Sequence, residues 1–96
     1  MAPPATKAVH VRIEGQVQGV GYRAWTASCA RDAGLDGYVL NRRDGSVEAV
    51  FQGPAAAVDA MIAACWTGPS YAAVTAVEIV GEGVGAFTGF TIRPSV

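Results

Sequence analysis

Gly15-Gln16-Val17-Gln18-Gly19-Val20-Gly21-Tyr22-Arg23 is the stretch from which the rest of the chain can be read. It follows an alternating segment, Val9-His10-Val11-Arg12-Ile13-Glu14, and precedes a helical one. Period-two alternation predicts a half-buried strand, with Val9, Val11 and Ile13 facing the core and His10 and Arg12 sharing the solvated face. Three glycines let the following backbone bend tightly and bring its N–H groups close to a ligand. A loop that feeds a helix N-terminus points free N–H groups outward, and the helix dipole adds partial positive charge. Arg23, in the first helical turn, supplies a permanent cation whose planar fork of donors suits phosphate. The stretch therefore reads as a phosphate cradle of backbone amides plus one arginine. Taken alone, an ordinary glycine-rich turn and an exposed helix arginine also account for it. It is not the P-loop, because no Lys-Ser/Thr follows the last glycine.

At 96 residues the chain is expected to form one domain with one small core. Residues 1–7, Met-Ala-Pro-Pro-Ala-Thr-Lys, read as a flexible tail, and residues 8–96 as the domain. A hydrophobic fraction of 51% and a charged fraction of 16% fit a folded chain and argue against disorder. The formal net charge of −1 offers no broad footprint for nucleic acid. No apolar run approaches the roughly 18 residues of a membrane span. The N-terminus lacks an apolar signal core, so the expected location is the cytoplasm. Cys29 and Cys65 have no cysteine or histidine partner at ligand spacing, and His10 is the only histidine, so no metal site is expected. Both cysteines read as small apolar core residues, with a mutual disulfide as the alternative.

Further along, a helix is predicted from Tyr22 to about Ala33. Tyr22, Thr26, Cys29, Ala30 and Ala33 form its apolar stripe, and Gly34 is its C-cap. Gly37-Tyr38-Val39-Leu40-Asn41 is rich in strand formers, and the Asp44-Gly45 that follows signals a hairpin. Ser46 to Gln52 returns as a third strand, with Val47, Ala49 and Phe51 on one face and Glu48 and Gln52 on the other. Pro54 suits the first turn of a second helix, where Val58, Met61, Ile62 and Cys65 recur at helical spacing. Gly68-Pro69-Ser70 stops that helix. Val74 to Val80 is a fourth strand, Gly81 to Gly85 a flexible connection, and Phe87 to Arg93 a last extended segment whose place is open. The order β-α-β-β-α-β plus one strand is an α+β pattern. Its helices can pack on one face of a mainly antiparallel sheet in the split βαβ arrangement.

Such a fold hosts RNA-recognition modules, metal carriers and small enzymes alike. The third strand, Ser-Val-Glu-Ala-Val-Phe-Gln, lacks the aromatic platform of the RNA module. No paired-cysteine loop supports a metal carrier. No histidine lies near a candidate serine, and neither cysteine sits beside a base in a loop. Any catalysis must work by positioning and electrostatics on a substrate that already has a good leaving group. Asn41, at a strand end, is also a common turn residue.

The Gly15–Arg23 stretch resembles the first signature of the acylphosphatases, Gly-x-Val-Gln-Gly-Val-x-Phe-Arg. Gly37 to Asn41, continuing through Asp44-Gly45-Ser46-Val47-Glu48, resembles their second. Gly68-Pro69-Ser70 and Phe90-Thr91-Ile92 are similar to minor landmarks, so the likeness extends from about Val9 to Arg93. It implies a ferredoxin-like two-layer sandwich that hydrolyses the carboxyl–phosphate bond of acyl phosphates, with no metal, no cofactor and no phosphoenzyme. Carried over by position, the backbone of Gln16, Val17, Gln18, Gly19 and Val20, with Gly21 at the edge, holds the phosphate. Arg23 binds its oxygens, and Asn41 positions the attacking water. The implied partners are a small acyl phosphate and competing phosphate or sulfate, with neither nucleic acid nor membrane; a monomer is expected, although the sequence leaves the oligomeric state open. A binder of anions or acyl phosphates without turnover, or an RNA-binding sandwich, are the alternatives. Tyr22 departs from the signature's phenylalanine and adds a hydroxyl that needs a partner. Arg42-Arg43 makes the second-signature turn more basic and favours anionic substrates.

Overall fold

Alternation in the first strand builds the centre of a sheet. The computed structural model describes residues 5–96, which run β1 (Thr6–Gln16), α1 (Tyr22–Asp32), β2 (Asp36–Asn41), β3 (Val47–Pro54), α2 (Ala55–Cys65), β4 (Ala73–Glu82) and β5 (Phe90–Ile92). The strands pair in the order β4-β1-β3-β2-β5. β1 lies antiparallel to β3 and β4, and β2 antiparallel to β3, while β5 joins the edge parallel to β2. The two βαβ crossovers therefore interleave, each skipping one strand, in the ferredoxin-like α+β arrangement with an added C-terminal strand. α1 packs over β2 and β5, and α2 over β1 and β3.

Val11, Ile13, Val39, Val47, Ala49 and Phe51 are fully buried beneath the helices, as the period-two pattern requires. From above, Tyr22, Thr26, Ala27 and Ala30 of α1 and Val58, Met61 and Cys65 of α2 close the core. Phe51 stacks on Phe90 with ring centroids 5.7 Å apart, which ties the edge strand to the centre. Cys29 and Cys65 are free thiols, and burial pushes the Cys65 thiol up to about 12, so it behaves as an apolar core residue. No described helix is long and apolar enough to cross a membrane.

Several boundaries differ from the pattern. Thr6 and Lys7, expected in the tail, extend β1 opposite Pro54 and Gly53, and Ala5 accepts a hydrogen bond from the Ala55 N–H. Residues 1–4 of the expected tail lie outside the described residues. Ala33 is the C-cap of α1 rather than part of its stripe, and Cys29 is only half-buried. Gly34 then adopts a left-handed φ of 71° and turns Leu35 into the core. Pro54 closes β3 and caps α2, with ψ at 133°, rather than standing inside the first turn.

β4 and β5 lie at opposite edges, so their connection must cross the sheet. It does so on the face without helices: a side chain at Gly83 would collide with Val50, and Phe87 packs on Tyr38 at 5.7 Å. Arg93 stacks on the same Tyr38 ring at 4.0 Å.

Candidate active site

β1 and β2 run parallel with β3 between them, so both end at the same edge of the sheet, where α1 begins. The turn between β1 and α1 is anchored by Val17, whose side chain is 1% exposed. Gly19 and Gly21 hold left-handed φ values of 75° and 79°, yet a Cβ at either would touch nothing. The requirement there is dihedral, not spatial, and a side chain would cost about 1–2 kcal/mol of strain. Gly15 differs: its glycine lets β1 pass close to β4, where a Cβ would strike the Ala73 carbonyl.

Gly21 is the N-cap of α1, with no side-chain cap and no acidic residue in the first turn. Among the described residues, no protein acceptor meets the N–H groups of residues 18–21. The loop N–H groups are thus left without a protein partner beside an uncapped helix N-terminus, where the dipole favours an anion.

The loop lines a cavity of about 260 Å³, and Arg23 and Asn41 both line it too. Arg23 is half-buried in the first turn of α1 and pairs with no carboxylate among the described residues. Asn41 ends β2, and its Oδ1 is buried without a hydrogen-bond partner. Its backbone is fixed from outside: the Asn41 carbonyl accepts from the Val96 N–H at 2.9 Å, and the Arg43 N–H donates to the Val96 carbonyl at 2.7 Å. Of the expected cradle residues, Val17, Gln18, Gly19 and Gly21 line the cavity. Gln16 pairs with Ala73 at the end of β1, and Val20 packs against the core.

Three features were not legible in the sequence. The Gln18 side chain reaches the neighbouring turn, where its Nε2 donates to the carbonyls of Arg42 at 2.7 Å and Ser46 at 2.8 Å. It thereby ties the cradle loop to the turn that follows Asn41. Ala24 and Ile92 complete the wall, the latter supplied by the edge strand. Neither a side-chain bridge nor the pairing of β5 with β2 leaves a local pattern in the sequence.

The turn after Asn41 is self-braced. The Asp44 carboxylate accepts from the Ser46 N–H at 2.9 Å and the Ser46 hydroxyl at 2.6 Å, and these bonds, with Arg12 nearby, hold it below the usual carboxylate range. Arg42, expected to attract anionic substrates, instead donates to Glu48 at 2.7 Å and does not line the cavity. His10 lies on the helix-free face, 3.4 Å from the same carboxylate. The added Tyr22 hydroxyl finds its partner in the Cys65 carbonyl at 2.7 Å, and burial pushes its phenol far above the ordinary range. Gly68 makes room for that ring.

Among the described residues no group of three or more His, Cys, Asp or Glu could hold a metal ion. The cavity brings together a run of unpartnered backbone N–H groups, one arginine and one asparagine.

Comparisons with known proteins point to one family. The acylphosphatase family profile matches residues 9–92. An acylphosphatase of Azorhizobium caulinodans is 50% identical over 92 residues, covering 95% of this chain and 99% of that one. That of Rhodospirillum rubrum is 48% identical over 90 residues, covering 94% and 99%. The solved structure of an acylphosphatase from Coxiella burnetii superposes with a TM-score of 0.87 at 32% identity, covering 92% of this chain and 93% of that one. With two signatures that meet in one cavity and relatives matched over nearly their whole length, the chain belongs to the acylphosphatase family, the acyl phosphate hydrolases.

Proposed function

We propose that this chain hydrolyses the carboxyl–phosphate bond of small acyl phosphates by positioning and charge stabilisation, with no metal and no cofactor. The observation that carries the mechanism is the junction of three unsatisfied groups in one cavity: the uncapped N–H groups of the loop and α1, the unpaired Arg23 guanidinium, and the buried, unpaired Oδ1 of Asn41. The first two are donors with no acceptor, and a phosphate dianion supplies acceptors. The third is an acceptor with no donor, and a water supplies an O–H.

An acyl phosphate is an activated anhydride whose leaving group is a resonance-stabilised carboxylate. Phosphoryl transfer passes through a loose transition state with charge spread over the equatorial oxygens, so amides and a guanidinium stabilise the charge that develops. Asn41 Oδ1 accepts from the water and aims its lone pair at phosphorus. The water oxygen–phosphorus bond forms, the phosphorus–carboxyl oxygen bond breaks, and the electron pair leaves with the carboxylate. The water's proton passes to a phosphate oxygen, because no Asp, Glu or His lines the cavity among the described residues. The products are a carboxylate and inorganic phosphate.

The test is turnover of benzoyl phosphate with EDTA present, alongside inhibition by inorganic phosphate. Hydrolysis is expected to persist in the chelator, with phosphate or sulfate competing against substrate because both fill the same amide cradle. Asn41→Ala is expected to lower kcat steeply while leaving the phosphate inhibition constant near wild type, because the water contact matters mostly in the transition state. Loss of activity in EDTA, or a folded Asn41→Ala enzyme with wild-type kcat, refutes the mechanism. The proposed working form is a monomer acting on a small-molecule substrate in the cytoplasm, with neither nucleic acid nor membrane as partner.

A further inference from the structure

The cavity contains one apolar side chain for which phosphate chemistry has no use. Ile92 lines it beside Arg23 and Asn41 and remains 45% exposed. The other large apolar groups there are committed elsewhere: Val17 and Tyr22 are each 1% exposed, with the Tyr22 hydroxyl held by Cys65. Ala24 is exposed but ends at Cβ. Ile92 pairs with Val39 across the parallel β5–β2 ladder, and so shares the helix-facing side of the sheet. At the far end of α1, Arg31 Nε donates to the Phe90 carbonyl at 3.1 Å and the helix covers Phe90, which is 3% exposed. At the near end, where α1 begins, the cavity lies open above Ile92.

A branched aliphatic surface gives an anion nothing, and leaving it wet forgoes the gain of burial. The cavity, about 260 Å³, also exceeds what the five heavy atoms of a phosphate occupy at roughly 30 Å³ per water-sized group. We propose that Ile92 is the contact for the acyl group, and that it makes this site favour acyl phosphates with an apolar, bulky acyl group over acetyl phosphate. This inference rests on the hydrolase assignment of the cavity and adds the substrate's other half.

The test uses Ile92→Ala, which removes the contact, and Ile92→Thr, which keeps the β-branch and strand propensity but makes the surface polar. For wild type and both variants, kcat/KM is measured with benzoyl phosphate and with acetyl phosphate. Inhibition constants are measured for inorganic phosphate and for the unreactive benzoylphosphonate and acetylphosphonate. The benzoyl-to-acetyl ratio is expected to fall about fivefold or more, since one methylene in an enclosed apolar pocket is worth roughly 10–200-fold and Ile92, 45% exposed, gives less. The phosphonate ratio should fall in parallel, with phosphate inhibition unchanged. Equal losses for both substrates, or ratios that stay at wild type in Ile92→Thr, overturn the acyl contact. A wild type that turns over neither substrate overturns the hydrolase assignment instead, and the phosphonate ratios still report on Ile92.

Discussion

Gln18→Leu should separate the architecture of the site from its chemistry. The Gln18 amide donates to the carbonyls of Arg42 at 2.7 Å and Ser46 at 2.8 Å. Neither carbonyl is orphaned when it goes. The Gly45 N–H still reaches Arg42 at 3.1 Å, and the Arg42 N–H still reaches Ser46 at 2.9 Å. The cost is therefore the net worth of two hydrogen bonds, about 2 kcal/mol, without the added penalty of a buried unsatisfied acceptor. For a domain of this size that lowers Tm by about 8–16 °C. The bonds join the loop before Arg23 to the turn after Asn41, so their loss lets the two halves of the site drift. A misplacement of about 1 Å costs up to ~100-fold in rate, and kcat is expected to fall between tenfold and that limit. Gln18→Glu is the harsher variant: a carboxylate cannot donate, faces two carbonyl oxygens, and brings negative charge to the cradle, so phosphate inhibition should weaken too. The assays are thermal unfolding, steady-state hydrolysis of benzoyl phosphate well below the lowered Tm, and phosphate inhibition. If Gln18→Leu melts with wild type and keeps wild-type kcat, the bridge does not hold the site together.

Arg23→Lys keeps the charge and loses the planar fork, so kcat/KM should fall at least about a hundredfold, while the urea midpoint stays put because Arg23 pairs with no carboxylate among the described residues; near-normal activity would make Arg23 a surface arginine. Tyr22→Phe removes the 2.7 Å bond to the Cys65 carbonyl and should destabilise the fold by about 1–3 kcal/mol with kcat/KM retained, as read by denaturation and turnover together. Burial pulls the Glu48 carboxyl upward, but hydrogen bonds from Tyr38 and Arg42 and the charge of His10 outweigh it and hold the group below its ordinary 4.5. Its contribution is thus complete above that ordinary value and is lost as pH falls through the lower folded one, so Glu48→Gln should reduce the urea midpoint at neutral pH and flatten its acid decline; an acid limb parallel to wild type would refute this.

What could be read from the sequence was local. Val9, Val11 and Ile13, and Val47, Ala49 and Phe51, announce their faces by alternation because each strand carries its own period. Gly19 and Gly21 announce a left-handed turn because φ is a property of one residue. Arg23 and Asn41 were legible as members of two motifs whose likeness spans the chain, although each alone is an ordinary helix or turn residue. Gly15 looked the same as its neighbours in the motif, but its role is contact with the Ala73 carbonyl, fixed by the register of β1 on β4. Thr6 and Lys7 join β1 only because Pro54 and Gly53 lie opposite. Ile92 belongs to the cavity only because the last segment crosses the sheet to pair beside β2. These are non-local facts, and no window of sequence contains them.

The topology itself explains why a site without a base can be assembled here. β1 and β2 point the same way with β3 between them, so their ends stand two strand spacings apart, about 10 Å. The cradle leaves one end and Asn41 occupies the other, too far apart for direct contact between their backbones. Two devices span the gap. The turn at residues 17–21 carries the start of α1, and with it Arg23, back over the sheet toward β2, while Gln18 reaches the hairpin turn beyond Asn41. From the outside, residues 92–96 brace β2 through the Val96 bonds to Asn41 and Arg43. The backbone of Asn41 and the loop around Gln18 are thus held by bonds made to neighbouring segments. In the mechanism proposed above, such positioning is what a neutral asparagine, an arginine and bare amides can deliver, and it suffices only where the leaving group departs without help. A carboxylate leaving an acyl phosphate meets that condition, whereas the alkoxide of a simple phosphate ester does not.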